Sequence, residues 1–448
     1  MQTDTIPSGT STKYFWFFLA VFGLRYIRVI SNIIGNVVYR PSCVAWKPKY
    51  DASDVTVMIP TMGLNSELLH QVVKSILLHP IAKLIIVTNG PDFEDNCSSF
   101  RDVIADPRIS HLDCENKGRR HKTALALPHV HTPLVILQDN KSTWPKSPSF
   151  IPLMIAPFED SQMGAVTPAI EAQHHHHRNI IKAFYNFLGM TYLVRRCHEY
   201  KACNAIDGGL STLPGRFGLF RTSIYASKEF QQAYLNEYCW VPFYGLRGPL
   251  DADDDKFHTR WLIEHGWKMK IQALPETTLM TENGELDRFY NQVLRWTRTT
   301  WRSNPKELSH AKVWRRHPFT SITLLLWMVR MSLIYEVLLF WLLYKSCQGK
   351  SSAGKSQGFA VEAGLLALWI VALKFNKISP HFVRHPKDLV FFAPYILFGW
   401  YCSLVKIWAG LTCWNISWEV AKPAATNEHT EGTHVSDNAK DAETSSVD

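Results

Sequence analysis

Four carboxylates fall within five positions, Asp251, Asp253, Asp254 and Asp255, and run straight into Lys256, Phe257, Thr259, Arg260 and Trp261. Acids this close repel one another, which raises the pKa of at least one and suits it to general-base work. Acidic residues ahead of a helix also cap it and favour its dipole, and spacing alone leaves both roles open. Another carboxylate, Asp139, follows the apolar run 134–137 and precedes Lys141, Ser142, Thr143, Trp144 and Pro145. There it can hold a divalent ion against a diphosphate, since hard cations share carboxylate and phosphate oxygens; capping a loop is the plainer alternative. Gln292, Arg295 and Trp296 recur at helical spacing, so one helix face offers an amide, a guanidinium and an indole. Guanidinium suits a departing diphosphate and indole suits an apolar ring face, while the alternative is an amphipathic helix whose arginines meet lipid phosphate. Lys117, Arg119, Arg120 and Lys122 form a basic loop upstream of Asp139, a pattern that attracts phosphate but is commonly just solvated.

The elements that must position these groups read as strands and helices in alternation. Residues 55–59 are a β-branched apolar run ending at Pro60, 67–77 a helix, 84–88 a second buried strand ending at Asn89, and 134–137 a third leading into Asp139. Strand, helix, strand with polar residues at strand ends predicts an open parallel sheet with ligands beyond its carboxyl edge. His174 to His177 stand in a row, but consecutive imidazoles diverge along any regular backbone and no Cys or acid sits at ligand spacing, so a surface loop is expected.

Around this soluble-looking segment the composition changes. Lys plus Arg exceeds Asp plus Glu by 48 − 39 = 9, favouring phospholipid or phosphorylated surroundings. Nucleic acid is the rival partner, but there is no zinc-finger spacing, basic heptad or RNP-like strand. Apolar stretches at 14–38, 319–344, 359–375 and 389–414 predict a membrane anchor and spanning helices. Arg25 and Arg28 within the first also suit an interfacial helix, Arg330 and Glu336 interrupt the second, and Trp408, Trp414 and Trp418 suit a headgroup zone. Nine scattered cysteines without a Cys-x-x-Cys pair fit reduced thiols facing a cytosol. The polar segment beyond Lys422 is expected to be disordered.

Taken together, Asp207-Gly208-Gly209-Leu210-Ser211 with Pro214-Gly215-Arg216, then Asp254-Asp255-Lys256-Phe257-His258-Thr259-Arg260-Trp261, then Arg295 through Asn304 stand in a family order. The chain resembles the membrane-embedded, inverting family 2 glycosyltransferases that include hyaluronan, chitin and cellulose synthases, most closely a fungal capsule-associated branch. The resemblance implies an α/β GT-A fold, a Rossmann-like open sheet, on the cytosolic side of a multi-pass protein of the plasma membrane or Golgi. It also implies a nucleotide-sugar donor, foremost a UDP-sugar, and a glycan acceptor in polysaccharide synthesis. Asp255 takes the place of the family's base, with Asp254 as its fallback. Gln292, Arg295 and Trp296 match the Gln-x-x-Arg-Trp motif, with Arg295 on the diphosphate and Trp296, together with Arg216, near the acceptor. Thr61, Asn89, Lys117, Arg119 and Arg120 fall where relatives hold the nucleotide. The implied segments are an anchor over 1–50, the catalytic domain over 51–318, transmembrane or interfacial helices over 319–418 and a polar tail over 419–448.

One departure bears on the cofactor. Relatives carry Asp-x-Asp after this strand, where the present chain reads Asp139-Asn140-Lys141. The expected Mn or Mg ion retains Asp139 but loses its second carboxylate, and Lys141 would neutralise diphosphate directly. The same change suits a chain that keeps the fold as a catalytically inactive scaffold. A solute transporter, the third reading, leaves the long soluble segment unexplained. The sequence specifies neither the sugar nor an oligomeric state.

Overall fold

Val55–Pro60 (β1) is buried except at Pro60, as a β-branched run must be when helices cover both faces of a sheet. It belongs to a seven-stranded sheet with Lys83–Thr88 (β2), Ile109–Asp113 (β3), Leu134–Gln138 (β4), Met163–Pro168 (β5), Phe217–Arg221 (β6) and Lys268–Gln272 (β7). The strand order is 7-5-6-4-1-2-3. β6 runs antiparallel to β4 and β5, and the other pairings are parallel. The computed structural model describes residues 8–90, 93–115, 118–282, 286–348 and 352–416. Because Ile109–Asp113 intervenes, the strand before Asp139 is the fourth in the chain and not the third; its mixed sequence, Ile-Ser-His-Leu-Asp, belongs to a half-buried edge that apolar patterning passes over.

Alternate side chains of β1 enter two cores. Val55, Val57 and Ile59 join Leu69, Val73 and Phe150 on one face, while Met58 joins Trp261, Leu262 and Tyr234 on the other. The chain thus has helices on both sides of a mostly parallel sheet, and its strand ends deliver Thr61, Asn89 and Asp139 to one edge. Ser142–Thr143, Leu279–Thr281 and Ile170–Ala172 form a small sheet beside Asp139.

Among the described residues three helices are long and apolar enough to cross a membrane, at Ser11–Val38, Phe359–Ser379 and Pro386–Leu411. The single span expected at 319–344 is instead a pair, Pro318–Val329 and Ser332–Cys347, bent by 81°. The break falls at Arg330, whose backbone is extended, and Glu336 beyond it is partnered by Lys374 and Trp400. The helix Ser8–Val38 runs antiparallel to Ser332–Cys347, with Ser11 bonded to the Ser346 carbonyl and Tyr14 packed edge-on to Trp341. The helix Ser352–Arg384 runs back against the latter, Tyr344 meeting Phe359 and Glu336 meeting Lys374. At its other end the first helix crosses the helix Ile180–Asp207 at Gly35, where an added Cβ would lie 2.6 Å from the Ala202 Cα. Only glycine permits that crossing, so Gly35→Ala is expected to push the two helices apart. The segment from 417 onward, including the expected tail and Trp418, lies outside the described residues. All nine cysteines are free thiols.

Candidate active site

At the carboxyl ends of β1 and β2 a buried ammonium ties two strands together. Lys122 Nζ donates to the Thr61 carbonyl at 2.5 Å and to Asn89 Oδ1 at 2.7 Å, and burial pushes its pKa down. Asn140 Nδ2 reaches Thr61 Oγ1 at 3.0 Å, which binds the β4 end to the same corner. Thr61 and Asn89 therefore stand together. Lys117 lies outside the described residues.

Asp139 is held by its neighbours on both sides. Its amide donates to the Arg216 carbonyl at 3.0 Å, and its Oδ1 accepts the Lys141 amide at 2.7 Å. Arg216 feels the Asp139 charge and donates to Thr281, although burial is the larger influence and lowers its pKa. The donor set fits a resident divalent ion poorly: a single carboxylate, with one oxygen taken up by the Lys141 amide, lies in the field of the Arg216 guanidinium, and the position two residues on is a lysine. Among the described residues no group of three or more His, Cys, Asp or Glu is arranged to hold a metal.

The four aspartates separate by partner. Asp251 accepts the amides of Arg119 and Arg120 at 3.3 and 3.2 Å, covering the orphan donors that open the helix Arg119–Ala126. Asp253, in the left-handed region at φ 66°, is gripped by Arg302 at 2.9 and 3.1 Å and by Thr299 at 2.5 Å. Asp254 pairs with Arg119 at 3.2 Å. Burial alone would raise the Asp254 pKa, but Arg119 and its neighbours outweigh this and hold it below the usual carboxylate range. Asp255 accepts the Lys256 amide at 2.7 Å and forms no ion pair among the described residues. Loss of water around it, and then the Asp254 and Asp253 charges, push its pKa up to about 6. Helix capping falls to Asp251 and a raised pKa to Asp255, so members of one cluster meet different surroundings.

Gly215 lies directly against this pair. A Cβ there would meet the Asp255 Cβ at 3.5 Å, and its carbonyl accepts Arg119 Nη2 at 2.7 Å. The pair itself borders a small cavity of about 10 Å³, lined also by Leu137, Pro214, Phe220 and His258, near the lower limit for one water. His258 accepts or donates to the Tyr225 hydroxyl at 2.6 Å, and burial drives its pKa down to about 3. The Asp207-Gly208-Gly209 stretch does other work: Asp207 accepts the Thr320 amide and hydroxyl, both at 2.8 Å, capping Pro318–Val329. Gly208 closes the preceding helix at φ 72°.

The helix Leu286–Leu308 brings the third group to the aspartates. Arg295 interacts electrostatically with Asp255, Asp253 and Asp254 in that order, while burial, the largest influence, lowers its pKa. Gln292 and Trp296 are half-buried on the same helix, and the Trp296 indole stacks on Tyr192 at 5.4 Å and 13°. Tyr192 had no signal in the sequence because it lies on another helix, Ile180–Asp207.

Sequence reading also missed Glu237. Its buried carboxylate takes Arg120 at 2.8 Å, Lys306 at 2.9 Å and Arg260, binding three helices at once, and those cations hold its pKa down at about 2 against burial. Arg120, expected at the nucleotide, is consequently turned inward: it is 1% exposed and also donates to the Tyr234 and Ala252 carbonyls. The histidines 174–177 lack regular structure as expected, but two gain acidic partners from distant segments. His174 reaches Asp388 at 3.2 Å and His175 reaches Glu282 at 2.7 Å.

Residues 52–299 match the model of the glycosyltransferase-like family 2. A type 2 glycosyltransferase of Zymoseptoria tritici is 32% identical over 93% of this chain and 85% of its own length, and one of Pyricularia oryzae is 31% identical over 92% and 83%. Among solved structures, the Pyrobaculum calidifontis mannosyltransferase PcManGT, in complex with GDP-Man and Mn2+, superimposes with a TM-score of 0.51 at 15% identity, over 91% of this chain and 98% of that one. That likeness carries the GT-A fold, and the fungal relatives carry the kinship: the chain belongs to glycosyltransferase family 2.

Proposed function

We propose that this glycosyltransferase moves a sugar from a nucleotide-sugar donor to a glycan hydroxyl with inversion, at a membrane surface. The observation that carries the reading is the divergence of two adjacent carboxylates: Asp254 is held ionised by its ion pair with Arg119, while Asp255, which forms no ion pair among the described residues, has its pKa raised by burial and by the Asp254 and Asp253 charges. A carboxyl so tuned is basic enough to take a proton near neutral pH. Asp255 then removes the acceptor hydroxyl proton, that oxygen forms a bond to the anomeric carbon, and the carbon–phosphate-oxygen bond breaks as diphosphate leaves toward Arg295. Charge stabilisation of that leaving group is worth roughly 10²–10³-fold per donor in comparable sites. Thr61, Asn89 and Arg119 line the donor end, and Trp296 with Arg216 the acceptor side. Cytosolic placement, UDP as the nucleotide and cell-surface polysaccharide as the product remain with this reading.

Mn2+ accompanies GDP-Man in the fold neighbour's complex. Here Asp139 is the residue that would meet such an ion, which would supply charge to a diphosphate. Lys141 and Arg216 offer charge at the same place, so turnover is expected to fall less than about tenfold in chelator. Lys141→Asp is expected to make turnover strongly metal-dependent. A wild-type enzyme fully silenced by chelator would overturn this assignment.

The deciding experiment follows nucleoside diphosphate release by the purified full chain in nanodiscs, across UDP- and GDP-sugars, beside Arg295→Ala. Release with one donor, reduced about 10²-fold in the variant, is expected. Folded protein that binds nucleotide without turning it over would favour the scaffold reading that Lys141 suggests.

A further inference from the structure

The helix over Pro386–Leu411 is long enough to span a bilayer, yet both its ends are fastened to the catalytic unit. At its start, Asp388 meets His174 and Phe391 packs on Phe184 and Phe187. At its end, Arg302 donates to the Cys413 and Asn415 carbonyls, and Arg298 donates to Thr412 at 3.0 Å. Between them the helix follows Leu286–Leu308, Phe289 against Phe398, Tyr290 against Tyr401, Trp301 against Gly410. That companion carries Arg295, Arg298, Arg302 and Lys306, a set hydrocarbon would not admit. The helix midpoint touches the first turn of Ser332–Cys347, where Leu333 donates to Ser403 and Trp400 to Glu336.

Its outer face is apolar at helical intervals. Leu397, Tyr401, Leu404, Trp408 and Leu411 are 42–64% exposed, whereas Ser403 and Ala409 are buried. The hairpin Cys239–Val241 with Gly245–Arg247 prolongs this face: Cys239 and Val241 pack inward beside Cys413, Trp240 and its cross-strand partner Leu246 point out, and Phe243 at the turn is fully exposed. Tyr244 stacks on Trp414 at 5.4 Å, joining hairpin to helix.

We propose that this helix does not cross the membrane but lies in the plane of the bilayer surface, and that with the Trp240–Phe243–Leu246 hairpin it forms a lipid-facing platform beside the Asp255 cleft. The partner is the headgroup and acyl boundary of a bilayer, where a one-sided helix with tryptophan and tyrosine settles. The chain then crosses the bilayer three times, through Ser8–Val38, Ser332–Cys347 and Ser352–Arg384, and Cys413 and Asn415 stay on the catalytic side. This rests on the membrane reading above.

Nitroxide labels on Leu397→Cys, Leu404→Cys and Leu411→Cys of the full chain in phosphatidylcholine vesicles test it. These positions span about 21 Å of helix. Equal, shallow depths are expected at all three, and matching depth at Phe243→Cys. A profile deepest at Leu404 with the flanking sites near headgroups would mean a span and overturn the proposal. Impermeant maleimide on sealed vesicles separates this from failure of the membrane reading itself. Ser445→Cys is expected to react from the same side as the exposed Cys43, and Ser8→Cys from the opposite side. Ser445→Cys opposite to Cys43 would again mean a span, while all three reacting from one side would refute membrane crossing altogether.

Discussion

Asp255→Asn is expected to lower turnover by roughly 10³-fold while leaving nucleotide binding intact and raising the melting temperature. The amide keeps the carboxylate's size and its acceptance from the Lys256 amide but cannot take a proton. The stability gain follows from linkage. Asp255 has a folded pKa raised above its ordinary value, so the fold favours its neutral form, and ionisation destabilises the protein as pH rises through about 6. Asparagine removes that charge. Asp254→Asn is expected to do the reverse. Its folded pKa is depressed, its contribution is present above the ordinary carboxylate pKa and fades on acidification, and removing it strands Arg119. Turnover by the wild type should accordingly rise with pH along a limb above the usual carboxylate range. Turnover surviving in Asp255→Asn would show the base to be elsewhere; a lowered melting temperature would show the carboxylate to be structural.

The second large effect is on folding. Glu237→Gln leaves Arg120, Arg260 and Lys306 around a neutral amide at a position only 5% exposed, and a destabilisation of about 3–5 kcal/mol is expected from uncompensated buried charge. Denaturant unfolding of the detergent-solubilised protein measures it. Because the three cations belong to the helices that carry Arg119, Asp255 and Arg295, activity should fall before the fold melts. The depressed pKa sets the acid behaviour: the stabilisation is fully present above the ordinary glutamate value and is lost as pH falls through about 2. A change below 1 kcal/mol would mean that the cations find other partners.

What could be read in advance depended on whether a residue's role was local. β1, the helix Glu67–Leu77 and β4 announce themselves, since apolar runs bounded by Pro60 or Asp139 and a 3.6-residue stripe are properties of neighbouring positions. The family motifs brought Asp254, Asp255 and Arg295 into one site before any geometry was known. Ile109–Asp113 escaped because an edge strand needs no continuous apolar pattern. Glu237, Tyr192 and the inward turn of Arg120 escaped for another reason: each is defined by partners more than a hundred residues away or on a separate helix, and no spacing encodes them. The 319–344 stretch shows a subtler limit, since hydropathy averages over Arg330 and cannot register an 81° bend.

The contacts of Asp207 and Arg302 also bear on modularity. Asp207 caps a helix that begins at Pro318, and Arg302 holds carbonyls beyond Leu411 as well as Asp253, so polar groups of the sheet-bearing half share their hydrogen bonds with segments that follow it. A fragment ending near residue 316 would carry an uncapped aspartate and a bared apolar flank on Leu286–Leu308. Such a fragment should aggregate on expression, and the reaction should prove inseparable from the helices that keep it at the bilayer.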